Sequence, residues 1–319
     1  MFSRLYRFFG TSLLLFAALG AIAARPVGHH PGVTAEAWHL FVHGGEMSDC
    51  LQGMQVSFLN GKIFLRIPIR ATLATVYLRR PEETQRFRRL FLPWSGPITL
   101  ATDRLFVRMG ALTLEAFDNH RYGLRGNLKK LNIDIQCHDT KPGIDVGRIH
   151  LGAGRYARES IHTGLRCTGQ VRTPQRTCRI DGPGWLQIMW GDAPVERIRT
   201  TVMQIHWENG TETLLSGVAD PKQPEFFRID VSPDGTFRRT QRVQIRPQRY
   251  DYHPANGRPY PVAWRVRDPD IPGEIRISRD CTDPWASAYG RHWMECMIRA
   301  TRHRPDATVL HGRGFVYAR

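Results

Sequence analysis

Short apolar runs, each followed by polar or turn residues, recur along most of the chain. Residues 131–137 (Leu-Asn-Ile-Asp-Ile-Gln-Cys) alternate between apolar and polar side chains, and residues 62–70 alternate in part. A period of two is typical of a strand with one buried face. Asn60-Gly61 and Asn209-Gly210 are strong hairpin signals, and residues 233–235 (Pro-Asp-Gly) predict another tight turn. Many short strands with turns about every eight to twelve residues predict an all-β barrel or sandwich.

One segment, residues 81–92, is predicted to be a short helix. It begins with proline and has two glutamates in what would be its first turn. Phe87 precedes Leu90 and Phe91 by three and four residues, which is the spacing of one helical face. We expect this helix to lie over a barrel mouth or edge.

The N-terminus has the three parts of a secretory signal peptide. A basic start is followed by an apolar stretch over residues 8–18 and by the small-residue exit Ala21-Ile22-Ala23. The apolar stretch is shorter than the roughly 20 residues that a transmembrane anchor needs. We therefore predict that residues 1–23 are removed and that the protein is exported, to the periplasm or the extracellular space.

The remainder of the chain is too long for one ordinary domain and suits two. A hydrophobic content of 41% and a charged content of 23% are those of a globular protein with a substantial core. Because both halves consist of short strands, we predict two β domains of similar size, over residues 24–185 and 186–319.

The six cysteines all lie in the exported part, where an even number favours disulfides. Two couples are close in sequence, and pairing each locally leaves the two remaining cysteines to each other. The expected bridges are therefore Cys167–Cys178, Cys281–Cys296 and Cys50–Cys137.

The chain is strongly basic, with a formal net charge of +16. Only five of its 45 basic residues are lysine, and the arginines are dispersed along the sequence. Such a charge is typical of nucleic-acid binding, but export argues against that partner. Contact with anionic lipid or cell-surface polysaccharide is expected to be incidental.

Four blocks of sequence resemble the signature of the carotenoid 1,2-hydratase/AttH-like family. Residues 180–191, with Gly182, Trp185 and Trp190-Gly191, resemble its Gly-x-x-Trp-x-Asp-His-x-Trp-Gly element. Residues 256–264 (Asn-Gly-Arg-Pro-Tyr-Pro-Val-Ala-Trp) resemble its Thr-Gly-x-x-Tyr-Pro-x-x-Trp element. Two final elements, Tyr-Trp-Glu-Gly and Gly-x-Gly-Tyr-x-Glu, resemble residues 293–295 (Trp-Met-Glu) and 312–315 (Gly-Arg-Gly-Phe). The blocks keep the family's order.

The resemblance implies two lipocalin-like barrels that carry, or act on, hydrophobic molecules such as isoprenoids. Some members of the family hydrate a terminal alkene. The chain departs from the signature at two places: Gln187-Ile188 replaces the Asp-His pair, and Tyr317 replaces the closing Glu.

Adding water to an unactivated alkene requires a carboxylic acid kept protonated by apolar surroundings and aromatic faces that stabilise a carbocation. The candidate acids are Glu295 and Asp192. The ligand-binding candidates are the aromatic residues and the amide of the family-like blocks, namely Trp185, Gln187, Trp190, Tyr260, Trp264 and Trp293.

Three functions remain open from the sequence. The first is an exported binding protein for a hydrophobic lipid or isoprenoid-like molecule, in a barrel or between domains. The alternatives are a hydratase- or isomerase-type lyase acting on an apolar alkene and a non-catalytic cell-surface scaffold. The chain has no nucleophile elbow, zinc-binding helix or phosphate-binding loop, so we predict neither a cofactor nor a metal.

Overall fold

The computed structural model describes residues 28–45, 50–64, 68–91, 98–152, 155–192, 200–218, 225–288 and 291–318. The predicted signal peptide lies outside these ranges. The protein is all-β with two barrel-like domains. The described residues include no helix long and apolar enough to cross a membrane.

The first sheet contains twelve antiparallel strands of the described residues, all from the N-terminal part of the chain. They are β1 (Ala35–His43), β2 (Gly53–Phe64), β3 (Pro68–Arg79), β4 (Thr84–Phe91), β5 (Ile98–Leu100), β6 (Phe106–Met109), β7 (Leu112–Ala116), β8 (Arg121–Leu128), β9 (Leu131–Asp139), β10 (Ile144–Gly152), β11 (Arg155–Arg172) and β12 (Thr177–Gly191). The order is β4-β3-β2-β1-β12-β11-β9-β8-β7-β6-β5, with β10 also paired to β11. The sheet curls until β4 approaches β8.

The second sheet contains ten antiparallel strands of the described chain. They are β13 (Thr200–Trp207), β14 (Glu212–Val218), β15 (Glu225–Val231), β16 (Phe237–Thr240), β17 (Gln244–Tyr252), β18 (Pro259–Asp268), β19 (Ile271–Arg279), β20 (Trp285–Ala288), β21 (Arg291–His303) and β22 (Val309–Ala318). The order is β16-β15-β14-β13-β22-β21-β19-β18-β17, with β20 paired to β21. The change of sheet falls between Gly191 and Thr200, so the expected domain division at 185/186 lies within β12.

Three clusters of buried apolar side chains hold this architecture together. The first fills the interior of the first sheet, around Trp38, Phe58 and Leu124. The second lies inside the second sheet, around Trp207 and Trp264. The third draws members from both sheets and lies between the two domains. The barrels are thus separately filled, and a third core joins them.

The prediction of a helix over residues 81–92 is wrong. Residues 84–91 form β4, which pairs with β3 in the order Thr84↔Arg79 to Phe91↔Thr72. Phe87 and Phe91 pack on the first core, whereas Leu90 is 42% exposed. A separation of four residues keeps two side chains on one face in a helix and also in a strand. The spacing of the two phenylalanines therefore could not distinguish these structures.

The turn predictions have mixed outcomes. Gly210 and Gly235 adopt positive φ angles in tight turns, as expected at Asn209-Gly210 and at 233–235. Asn60-Gly61 instead lies within β2, paired to β1 and β3, and Asn60 donates to Glu36 Oε1 at 3.2 Å. Residues 62–70 are not one strand, because β2 ends at Phe64 and β3 begins at Pro68.

All six cysteines form disulfides, but only one expected pair is correct. Cys281–Cys296 is confirmed, whereas the other bridges are Cys50–Cys178 and Cys137–Cys167. Along the β11–β12 hairpin, Cys167 lies opposite Gly182 and Cys178 opposite Val171. The strand register therefore holds these two cysteines too far apart for a bond. Three disulfides are typical of an exported protein.

The length of chain that each bridge closes predicts its contribution to stability. Cys50–Cys178 has a sequence separation of 128 and Cys281–Cys296 one of 15. Loop-closure entropy predicts losses of about 5 and about 3 kcal/mol, respectively, when each pair is replaced by alanine. Urea unfolding of Cys50→Ala/Cys178→Ala and Cys281→Ala/Cys296→Ala measures both. A larger loss in the second variant would contradict the expectation.

Candidate active site

The two sheets pack through one face each. Because successive strand residues point to opposite faces, β1 directs Trp38 into the first core and Phe41 toward the second sheet. Phe41 meets Phe315 of β22 with ring centroids 5.3 Å apart, and Tyr77 of β3 lies edge-on to the same ring at 6.4 Å. Met297 and Trp185 complete this contact. We call these five residues the interdomain plug.

A row of polar side chains crosses the first sheet beside the plug. Thr75, Ser57, His39 and Gln187 are direct cross-strand neighbours on β3, β2, β1 and β12, and all are buried. Ser57 Oγ lies 2.7 Å from His39 Nδ1 and accepts from Gln55 at 3.0 Å. Burial lowers the pKa of His39 to about 4, because a charged imidazole would lose its hydration. His39 is therefore neutral at physiological pH.

Glu159 of β11 lies at one end of this row with no solvent exposure. Gln187 donates to its Oε1 at 2.5 Å, and Ser216 of the second sheet donates to Oε2 at 3.4 Å. Gln204 in turn donates to Gln187 at 3.3 Å, so the network spans both domains. Burial raises the pKa of Glu159 to about 7, although its hydrogen bonds from Gln187 and Ser216 favour the charged form.

Glu295 of β21 is the second buried acid, with 4% of its surface exposed. Its cross-strand neighbour is Tyr317 of β22. Burial raises the pKa of Glu295, while the Trp293 indole and the Arg86 and Arg88 guanidinium groups act in the opposite direction. The carboxyl group thus favours its protonated, hydrogen-bond-donating form more than an exposed glutamate does.

Aromatic rings surround this second acid. The Trp293 and Tyr317 ring centroids are 6.4 Å apart, and Tyr317 lies 6.5 Å from the His39 ring across the interface. The Arg88 guanidinium lies 5.9 Å from the Trp293 ring centre. We call Glu295, Trp293, Tyr317, His39 and Arg88 the Glu295 site. It combines a buried acid, a neutral imidazole and two π faces.

Polar bonds between the domains fix the geometry of the Glu295 site. Arg86 of β4 donates to Asp283 Oδ2 at 2.8 Å and to the Glu295 carbonyl oxygen at 3.3 Å. Arg79 of β3 donates to the Asp280 carbonyl oxygen at 3.2 Å. The edge of the first sheet is therefore tied to the segment between β19 and β20 and to β21, the strand that carries Glu295.

A buried ion pair joins the domains on the other side of the plug. Lys141 Nζ lies 3.1 Å from Glu212 Oε2, and Glu212 Oε1 accepts from the Gly164 amide at 3.0 Å and lies 3.1 Å from His206 Nδ1. Burial alone would raise the pKa of Glu212, but His206 and Lys141 lower it. The pair leaves neither charge alone in the interior, which would be strongly destabilising.

A cleft of about 710 Å³ opens at this end of the interface. Its walls include His43 and Pro183 from the first sheet and His206, Arg299 and Arg313 from the second. Burial lowers the pKa of His43 to about 3, and the positive charges of His206 and Arg313 act in the same direction. The interdomain plug separates this cleft from the Glu295 site.

Four of the eight residues selected from the sequence lie at the interdomain interface. Trp185 belongs to the plug, Gln187 to the polar row, and Trp293 and Glu295 to the Glu295 site. Ile188, beside Gln187 in sequence, points instead into the first core. The interface thus uses alternate residues of β12, as a strand requires.

The other four selected residues lie elsewhere. Asp192 is exposed just beyond β12. Trp190 packs against the rim of the first core and stacks on His30, with centroids 4.0 Å apart. Tyr260 and Trp264 are part of the second core. Of the two candidate acids, only Glu295 is buried beside aromatic rings.

Sequence reasoning missed Glu159 and His39. Glu159 lies on β11 and bonds Gln187 of the neighbouring strand, while His39 lies on β1, outside the blocks that resemble the family signature. Two departures from the family signature, Gln187 and Tyr317, could have pointed to this interface from the sequence, because both residues belong to it. Among the described residues, no group of three or more His, Cys, Asp or Glu side chains could hold a metal ion.

The sequence matches no family model and no curated protein. Solved structures nevertheless share its fold. A Nitrosomonas europaea protein assigned as AttH superposes with a TM-score of 0.74 and 15% identity over 91% of this chain and 94% of the other. Kievitone hydratase from Nectria haematococca gives a TM-score of 0.70 and 14% identity over 93% and 94%. The chain has the AttH-like, two-domain lipocalin fold. The resemblance of the sequence blocks is therefore confirmed at the level of the fold.

The raised pKa of Glu159 predicts a pH-dependent stability. Between pH 4.5 and about 7 the unfolded chain has lost a proton that the folded protein retains, so this group reduces the free energy of unfolding as pH rises through that window. The reduction is about 3 kcal/mol and is complete above pH 7. Glu159→Gln abolishes it, so its stability relative to wild type should rise by that amount from pH 4.5 to 8 in urea unfolding. Exposed Glu82→Gln is the control, and a constant difference for Glu159→Gln would refute the assignment.

Proposed function

We propose that this protein is a hydratase-type lyase that adds water to, or removes it from, an apolar molecule held between its two domains. The observation that carries the proposal is Glu295, a buried acid whose pKa is raised by burial beside the rings of Trp293 and Tyr317. A protonated carboxylic acid in a nonpolar environment is the donor that alkene protonation requires.

The proposed reaction begins with transfer of the Glu295 proton to one carbon of the alkene. The resulting positive charge on the neighbouring carbon is stabilised by the π faces of Trp293 and Tyr317. Water then forms the C–O bond, and its released proton returns to the Glu295 carboxylate by way of the neutral imidazole of His39. The π bond of the alkene and one O–H bond of water break, one C–H bond and one C–O bond form, and the acid is regenerated.

The fold neighbours support this choice. One of them is named kievitone hydratase, and its superposition on this chain covers nearly the whole of both proteins. The aromatic blocks that resemble the carotenoid hydratase family supply Trp293 and Glu295, while Tyr317 stands where that family has its closing glutamate. The acid is therefore proposed to come from β21 rather than from the end of β22.

A second candidate is a binding protein for a hydrophobic lipid or isoprenoid-like molecule. It is favoured by the cleft of about 710 Å³ between the domains, a volume within the range of small-molecule sites. For either function, we propose that the protein is exported to the periplasm or out of the cell. Catalytic turnover distinguishes the hydratase from the binding protein.

Glu295→Gln should abolish hydration while leaving the protein folded, because the amide keeps the size of the acid but has no acidic proton. The measurement is incorporation of ¹⁸O from labelled water into isoprenoid-type terminal alkenes, followed by mass spectrometry. A loss of at least about 100-fold is expected for a general acid. Asp192→Asn, which changes an exposed carboxylate, is the matched control. Equal activity of Glu295→Gln and wild type would eliminate the proposed acid.

Wild type and Glu295→Gln should bind an apolar ligand about equally well, although only wild type should catalyse hydration. Farnesol, an isoprenoid alcohol, should quench tryptophan fluorescence of wild type and Glu295→Gln with affinities within about threefold, because the substitution leaves the aromatic contacts in place. Quenching by both proteins without product from wild type would favour the carrier. Absence of binding to either protein would count against both candidate functions for this class of molecule.

A further inference from the structure

Arginines that are dispersed in the sequence meet on one face of the second sheet. Arg246, Arg265 and Arg276 are successive cross-strand neighbours on β17, β18 and β19, while Arg299 and Arg313 are neighbours on β21 and β22. We define the arginine face as the arginines that the register places on this side of the described sheet: Arg246, Arg249, Arg265, Arg267, Arg276, Arg299 and Arg313.

Few carboxylates neutralise the arginine face. Glu274 lies 2.9 to 3.3 Å from the guanidinium groups of Arg265, Arg267 and Arg276, so one negative charge serves three arginines. Asp280 pairs with Arg299 at 2.8 Å. Glu208 is the carboxylate that lines the cleft beside Arg313. In the described part of this face, the positive charges outnumber these three acids by more than two to one.

Ordinary sheet physics does not favour this arrangement. Like charges placed directly opposite each other on neighbouring strands are destabilising. Charged residues on an edge strand protect against edge-to-edge aggregation, which accounts for Arg246 and Arg249 on β17. It does not account for Arg265, Arg276 or Arg299, which lie on strands inside the sheet. The negative charges of a bound polyanion would offset the repulsion between these arginines.

Two depressions on this side of the sheet provide room for a chain-like ligand. A groove of about 320 Å³ is lined by Arg265, Arg276 and Arg299 together with polar side chains of Gln248, Ser278 and Thr301. The interdomain cleft of about 710 Å³ also includes Arg299 and Thr301. The two depressions therefore meet at β21 and form one path lined by cations and by hydrogen-bonding groups.

Exposed aromatic rings lie at the β17 end of this path. Tyr250 and Tyr252 are 49% and 69% exposed, and their partners Pro261 and Pro259 place them on the same side of the sheet as the arginines. A tyrosine presents an apolar ring with a polar tip, which suits the apolar face and hydroxyl edge of a sugar ring. The face thus offers charge, hydroxyl-binding groups and ring platforms together.

We propose that the arginine face binds an acidic polysaccharide, whose carboxylates meet the arginines and whose sugar rings contact Tyr250 and Tyr252. A lipid surface fits less well, because arginines that line depressions cannot all contact a flat layer of headgroups. Guanidinium groups bind carboxylates in a bidentate manner and keep their charge at all physiological pH values. This surface is separate from the Glu295 site.

The test measures binding of polygalacturonate to the full protein, with dextran as the neutral polymer. Arg246→Gln/Arg265→Gln/Arg276→Gln should weaken polygalacturonate binding on the order of tenfold, from three exposed charge contacts. The control, Arg172→Gln/Arg176→Gln/Arg179→Gln, removes the same net charge from exposed positions of the β11–β12 hairpin and should change binding less than about twofold. Added salt should weaken wild-type binding.

Three outcomes would overturn the proposal. Equal weakening by the two triple variants would mean that net charge alone attracts the polymer. Equal binding of dextran and polygalacturonate would remove the role of charge. Sedimentation with vesicles of phosphatidylglycerol and phosphatidylcholine, without binding to polygalacturonate, would assign the face to membrane lipid instead.

Discussion

The contact of Phe41 with Phe315 holds the rest of the structure in place. These side chains lie on strands in the middle of their sheets, β1 and β22, whose opposite faces already fill the two barrel cores. The central strands are therefore buried on both sides, and the third core between the domains excludes water from everything beside it. Any polar group on these faces must be paired or neutral.

The pKa values of the ionisable groups beside the plug are shifted in opposite directions by that constraint. The pKa of the acid Glu159 rises to about 7, that of the base His39 falls to about 4, and in both cases burial is the main cause. Each shift favours the uncharged form. Burial also raises the pKa of Glu295. The protonated carboxyl group that alkene protonation requires is therefore favoured by the packing of the two domains. Lys141 and Glu212 pair with each other instead, and this pairing helps to lower the pKa of Glu212.

How much the sequence could predict depends on whether a feature is local or set by strand register. Alternation is local, and it identified an all-β chain, whereas the two barrels were predicted from the resemblance of the sequence blocks. Phe87 and Phe91 were ambiguous because four residues is a repeat of both helix and strand. Cys167 and Cys178 are close in sequence but out of register across their hairpin, and Cys50 bonds a partner 128 residues away. Register is decided by the whole sheet.

The same distinction governs the candidate site. Trp293 and Glu295 could be selected because they lie together in a short block that resembles the family signature. Glu159 could not, since its partner Gln187 belongs to the next strand and Ser216 belongs to the other domain. The arginines are the largest example, because only the sheet reveals that scattered positions form one face.

Strand β21 connects these two environments over a short distance. Its residues Glu295, Met297 and Arg299 alternate onto one face, and four residues of strand span roughly 13 Å. Arg86 and Arg88 already act to lower the pKa of Glu295, and further positive charge close to it would weaken it more as a proton donor. Met297 and the neighbouring Phe315 lie between the acid and the cations Arg299 and Arg313. The plug thus joins the domains and also separates the arginine face from a buried acid on the same strand.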